Sequence, residues 1–127
     1  MQILRAHSQS HLDNIESHGG YALGLKALGV AGLAVDQVLH GNAKNALVVC
    51  SQPGRHTGRD GIDSGMDSGI RDLCPFNYVA FAAKLASEGL GHGRISVINL
   101  GFRHCKSDLR RIAQTLTRGT AMSFIVS

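Results

Sequence analysis

The sequence predicts a small α/β domain with a mainly parallel, three- to four-stranded sheet flanked by helices. Short runs rich in β-branched residues alternate with segments whose apolar residues recur every three or four positions. Such alternation of strands and helices is typical of a parallel sheet with right-handed crossovers. A chain of 127 residues can bury one hydrophobic core that is stable without disulfide bonds, so we expect a single domain, 1–127.

The N-terminal segment is expected to be mostly helical. Leu12 and Ile15 at a spacing of three suit a helix that begins at about Ser8. Met1–Arg5 is a candidate for an additional edge strand, because three strands alone would make a small sheet.

The next segment, Tyr21–Leu39, is helical in pattern but apolar nearly all round. Gly24, Gly29 and Gly32 each cost roughly 0.5–1 kcal/mol relative to Ala inside a helix, so their presence indicates that another part of the backbone comes close. We therefore expect this helix to lie inside the protein, against the sheet or between layers. Gly41 suits the position just after its end.

The first core strand is predicted at 46–51, because Val48 and Val49 favour a pleated, half-buried setting and Pro53-Gly54 is a turn signal. The elements expected after it are a long glycine- and aspartate-rich loop at 52–76, a helix at 77–89, a strand at 94–100, a helix at 108–118 and a strand at 121–126.

The loop after the first strand is where we expect a ligand, because ligands of α/β sheets bind at the carboxyl ends of strands. Arg55, His56 and Arg59, with the backbone N–H groups freed by glycine, would hold a phosphate or carboxylate. Cys50 would be a nucleophile if His56 lowered its pKa. The alternative is that Cys50 packs as a small apolar residue. No cofactor is specified by these residues.

Two histidines, His7 and His11, stand four residues apart, which is the spacing of two metal ligands on one helix face. No Cys, Asp or Glu completes an obvious set. We interpret both histidines as solvent-exposed and predict no metal site.

The three cysteines form no C-x-x-C pair, which favours reduced thiols in a cytoplasmic compartment. Residues 21–35 are shorter than the roughly 20 residues that a membrane span needs and contain Lys26. The start of the chain lacks the apolar core of a signal peptide. We therefore expect a soluble protein that does not contact a membrane.

Positive charge is concentrated toward the C-terminus. Residues 1–52 are balanced and residues 53–75 carry −1, whereas residues 76–127 hold seven Lys or Arg against two acidic residues, a net charge of +5. A basic surface of this kind suits an acidic protein partner or the phosphates of a nucleic acid. The residues expected to bind such a partner are Arg103, Lys106, Arg110, Arg111 and Arg118.

Residues 17–28, followed by His40-Gly41 and Ala46-Leu47-Val48-Val49, resemble the elbow, buried helix and following strand of thiolases and ketosynthases. The nucleophilic Cys of that elbow is absent, and His18 or Gly19 stands in its place. We interpret the resemblance as shared helix packing and not as membership of that family.

Two functions of different class remain. The first is a non-catalytic binding or accessory protein that engages a macromolecule through the basic C-terminal surface and the long loop. The second is a small enzyme or ligand-binding domain for an anionic metabolite at the loop. A second subunit would be able to cover the apolar helix at 21–39, so a homodimer is a further alternative.

Overall fold

In the part of the chain that the structure describes, regular secondary structure is mainly helical. The computed structural model describes residues 2–17, 20–50, 54, 56–61, 74–91, 93–99 and 122–126. In chain order the elements are a 3-10 helix Gln2–Arg5, α1 Gln9–Ile15, α2 Tyr21–Leu39, α3 Tyr78–Gly89, β1 Ile95–Asn99 and β2 Met122–Val126.

The predicted three- to four-stranded sheet is wrong, and so is the α/β class that rested on it. In the described part of the chain two five-residue strands pair in parallel, with Ile95 opposite Met122 and Asn99 opposite Val126. The segment at 45–50 has no regular secondary structure, although it was predicted to be the first core strand. Its side chains Leu47 and Val49 are 90% and 85% exposed. No strand that the structure describes pairs with this run, and a run of high β-propensity forms a strand only where a partner strand lies beside it.

The edge strand considered at the N-terminus is also wrong, because Gln2–Arg5 is a 3-10 helix. A salt bridge between Arg5 and Glu88 ties this helix to α3. The predicted helix at 108–118 lies outside the described residues and stays a prediction.

The three α-helices begin and end where local chemistry favours it. Ser8 caps α1 in an extended conformation and accepts a hydrogen bond from the His11 N–H at 3.3 Å. Asn77 caps α3 in the same way by accepting from the Ala80 N–H at 2.9 Å. Gly41 follows α2 with φ +73°, the left-handed conformation that glycine adopts without strain. The predicted positions of all three helices are confirmed.

The core lies where α2 crosses α3, with α1 packed against one end. Gly24 and Gly32 of α2 face the rings of Phe76 and Phe81, so aromatic side chains, and not a neighbouring backbone, use the space that the glycines leave. Among the described residues, buried apolar side chains form two clusters: Leu12, Ile15, Leu28, Ala31, Phe76, Tyr78 and Phe81 in the first, and Val35, Ala82 and Ala86 in the second.

The expectation that α2 is buried is only half right. One face packs on α3, whereas Leu23, Val30 and Leu33 on the other face are 54%, 49% and 60% exposed. By length and composition alone α2 would be able to cross a membrane, and the core helices of soluble proteins share this length and composition.

Candidate functional site

Two buried histidines at the start of α1 form the most elaborate polar site among the described residues. His7 lies just before the Ser8 cap, outside the helix, and His11 lies in the first helical turn. Their exposed fractions are 1% and 5%, and their ring centroids are 4.9 Å apart. We call this pair the histidine clamp. The prediction that these histidines are solvent-exposed is wrong.

His7 joins two distant segments of the chain. Its Nδ1 lies 3.0 Å from the carbonyl oxygen of Gly58, and its Nε2 accepts a hydrogen bond from the Asn77 N–H at 2.9 Å. A carbonyl only accepts and a backbone N–H only donates, so His7 is the neutral tautomer with its proton on Nδ1. Burial lowers the pKa of His7, and the nearby charge of His11 lowers it further, against the opposing effect of the carbonyls of Gly58 and Arg59.

His11 makes a second connection beside the first. Its Nε2 donates to the carbonyl oxygen of Pro75 at 2.8 Å. On the other side of the ring lies Gly61, with φ +113°, where a Cβ atom would stand 3.1 Å from His11 Nδ1. The close fit explains why a glycine is needed at this position.

The clamp holds a short turn at 58–61. Gly58 and Gly61 exchange backbone hydrogen bonds at 3.0 and 3.4 Å, and the Ser8 N–H donates to the carbonyl of Arg59 at 2.9 Å. The inner side of the turn is therefore fixed to α1, while the side chains of His56, Arg59 and Asp60 are exposed.

Thr57, directly before the turn at 58–61, anchors the loop inside the protein. It is 1% exposed, and its hydroxyl donates to the carbonyl of Cys74. Asn77 Nδ2 donates to the Thr57 carbonyl at 2.9 Å, so the helix-capping residue of α3 also orients the loop.

A second contact holds the loop at Gly54. Its backbone is left-handed, with φ +62°, and it lies so close to Tyr78 that a Cβ atom would overlap the ring. Burial raises the pKa of the Tyr78 hydroxyl above its usual range, and the neighbouring thiols of Cys74 and Cys50 raise it further.

The predicted catalytic pair is not brought together in the described contacts. Cys50 is half-buried and packs against the first core cluster, which favours the apolar alternative, whereas His56 is exposed. Between these two described residues there is no hydrogen bond. Their role in catalysis stays a prediction.

The predicted binding residues are only partly described. His56 and Arg59 lie on the exposed side of the loop, which suits an anion site, and Arg55 lies outside the described residues. The partner-binding residues Arg103, Lys106, Arg110, Arg111 and Arg118 also lie outside them. Within the described ranges, no group of three His, Cys, Asp or Glu is placed to hold a metal ion.

The histidine clamp was not predicted from the sequence, although a signal was present. His11 lies four residues before the buried Ile15 on one face of α1, and His7 directly precedes Ser8, a typical N-cap. A histidine in line with a buried apolar position is more consistent with an inward-facing side chain than with a solvent-exposed one.

The chain is similar to segments of two known proteins. It is 34% identical over 79 residues, 62% of its length, to type-2 histone deacetylase 1 of Dictyostelium discoideum. It is 35% identical over 92 residues, 72% of its length, to type-2 histone deacetylase 2 of the same organism. The chain spans about 5% of the length of each of these relatives. No protein-family model matches it. The similarity therefore concerns one short segment of two much longer proteins.

Proposed function

We propose that this chain is a histone-deacetylase-related binding or accessory protein whose basic C-terminal segment engages nucleic acid. The observation that carries the proposal is the separation of charge, with +5 on residues 76–127 and a balanced or slightly negative remainder. Lys and Arg that neutralise phosphates dominate the affinity of such interactions and release counterions from the nucleic acid.

Nucleic acid is favoured over an acidic protein because the relatives are named for action on histones. Histones are wrapped by DNA, so a protein that works near them meets a dense array of phosphates. The helical N-terminal part serves as the scaffold in this proposal. The histidine clamp fixes the turn at 58–61, which presents Arg59 outward as a further cationic group.

Binding of a fluorescently labelled DNA duplex, followed by anisotropy, tests the proposal. We expect Arg110→Glu with Arg111→Glu to weaken binding at least about tenfold and to reduce the salt dependence, since each lost phosphate contact lowers the logarithmic slope by about 0.9. Lys44→Glu, an exposed charge reversal in the balanced half of the chain, is the matched control and should bind nearly as well as the wild type. Equal binding by the wild type and the double variant would refute the proposal.

A second candidate function is favoured by the names of the relatives. Hydrolytic removal of an acetyl group releases acetate, a carboxylate of the kind that Arg55, His56 and Arg59 were predicted to hold. On this alternative the loop is the product-binding part of an enzyme that acts on acetylated substrates.

The second candidate is tested by acetate release from an acetylated histone peptide, with a His56→Ala variant as comparison. Acetate should also raise the melting temperature of the wild type, because a ligand at about 100 times its dissociation constant adds about 2.7 kcal/mol. Arg59→Gln should remove that shift, whereas Lys44→Gln should retain it. Absence of both acetate release and the thermal shift would count against this alternative and leave the binding proposal unaffected.

A further inference from the structure

The outer face of α2 has the spacing of a helix-pairing seam. Leu23, Lys26, Val30, Leu33 and Gln37 follow one another at intervals of three, four, three and four residues. This is the a/d pattern along which two helices pack side by side. The three apolar members are each about half exposed.

Small residues beside the seam would let a second helix approach closely. Ala22 and Gly29 lie along one edge, and a Cβ atom at Gly29 would meet nothing within 4 Å. The distance between packed helices depends on the size of the side chains at their contact, so this edge admits a near neighbour.

The charges of α2 favour one orientation of the second helix, antiparallel, over the other. In a parallel pair of α2 helices, Lys26 would lie opposite the Lys26 of the second copy, and the like charges would repel. In an antiparallel pair with Val30 level with the second copy's Leu33, Lys26 is level with the second copy's Gln37. The second copy's Asp36 then lies one residue away, about 1.5 Å along the axis.

The antiparallel arrangement satisfies both copies at once. Val30 and Leu33 of the two chains form an apolar centre, and a Lys26–Asp36 pair flanks it on each side. Leu23 lies beyond that pair, level with the second copy's His40. Asp36 is available for such a contact because its side chain is 56% exposed, although it also lies 3.1 Å from His40 Nδ1 within the same helix.

We propose that the outer face of α2 is covered by α2 of a second copy of this chain, packed antiparallel in a homodimer. A lipid surface is a poorer occupant, because Lys26 lies in the middle of the exposed stripe and Asp36 at its edge, and both charges are costly to bury in lipid. The inference is independent of the proposed nucleic-acid binding.

Sedimentation of the full chain at concentrations up to about 100 μM tests the proposal. We expect a species of twice 13.5 kDa for the wild type. Val30→Glu with Leu33→Glu should raise the dimer dissociation constant at least about tenfold, because four carboxylates would meet at the centre of the seam. Leu47→Glu, which alters a leucine that is 90% exposed outside α2, should dimerise as the wild type does. Circular dichroism of each variant is the control that its helices are retained.

A charge exchange tests the antiparallel direction. Lys26→Asp alone should weaken the dimer, and Lys26→Asp with Asp36→Lys should restore it, since the exchanged pair is again of opposite sign. Failure of the exchange to restore the dimer would overturn the antiparallel packing. A monomeric wild type would overturn the proposal outright. So would a wild type that is monomeric in buffer and co-floats with phosphatidylcholine–phosphatidylserine vesicles.

Discussion

At Gly54 the backbone is left-handed and lies against the ring of Tyr78. Two separate constraints therefore require glycine here: the positive φ, which costs an L-residue roughly 1–2 kcal/mol, and the absence of space for a Cβ atom. Gly41, with φ +73° and nothing within 4 Å of a Cβ atom, has only the first constraint.

We predict that Gly54→Ala destabilises the protein by about 2–5 kcal/mol, which combines left-handed strain with displacement of the buried Tyr78 ring. Gly41→Ala should cost only the strain, about 1–2 kcal/mol. Urea unfolding followed by circular dichroism measures both changes. Equal losses in the two variants would show that the ring contact contributes nothing.

At the scale of elements, Asn77 connects α3 to the loop. Its side-chain oxygen caps the helix, its Nδ2 donates to the Thr57 carbonyl, and its backbone N–H donates to His7. The hydrogen bonds of one residue thus link the start of α3, the loop and the histidine clamp.

We predict that Asn77→Ala destabilises the protein by about 1–3 kcal/mol, because it removes the cap and leaves the Thr57 carbonyl without its donor. Asn77→Ser keeps a capping oxygen but cannot reach Thr57, so it should recover part of the loss. Thermal unfolding distinguishes them. If the serine variant is as unstable as the alanine variant, the cap is not the stabilising contact.

At the scale of the whole molecule, the histidine clamp makes stability depend on pH. His7 is held neutral in the folded protein, with its pKa lowered by burial and by His11, while the unfolded chain binds a proton near the ordinary value of about 6.5. The unfolded state therefore binds more protons as the pH falls below that value. Stability is greatest above about pH 6.5 and is lost at lower pH.

We predict that the free energy of unfolding falls between pH 7.5 and 5.5, with a slope of up to about 1.4 kcal/mol per pH unit from His7 alone. His7→Gln should be less stable at pH 7.5 and should show a shallower slope. His40→Gln alters an exposed histidine with a side chain 67% exposed, and should keep the wild-type slope. Urea titrations at several pH values provide the comparison. An unchanged slope in His7→Gln would exclude the clamp as the cause.

The sequence by itself determined the three α-helices. Their apolar spacing, the Ser8 and Asn77 caps and Gly41 act within a few residues of chain, so local rules locate α1, α2 and α3 closely. The same rules located β1 and β2 within about a residue at each end.

Only the tertiary structure decided the sheet and the site, because both depend on contacts between distant residues. Val48 and Val49 favour a strand, but a strand also requires a partner beside it, and no local pattern specifies one. The spacing of His7 and His11 is visible in the sequence, whereas their burial depends on Pro75 and Asn77, which lie 64 and 70 residues away along the chain. Those partners bury both histidines and hold His7 in its neutral form.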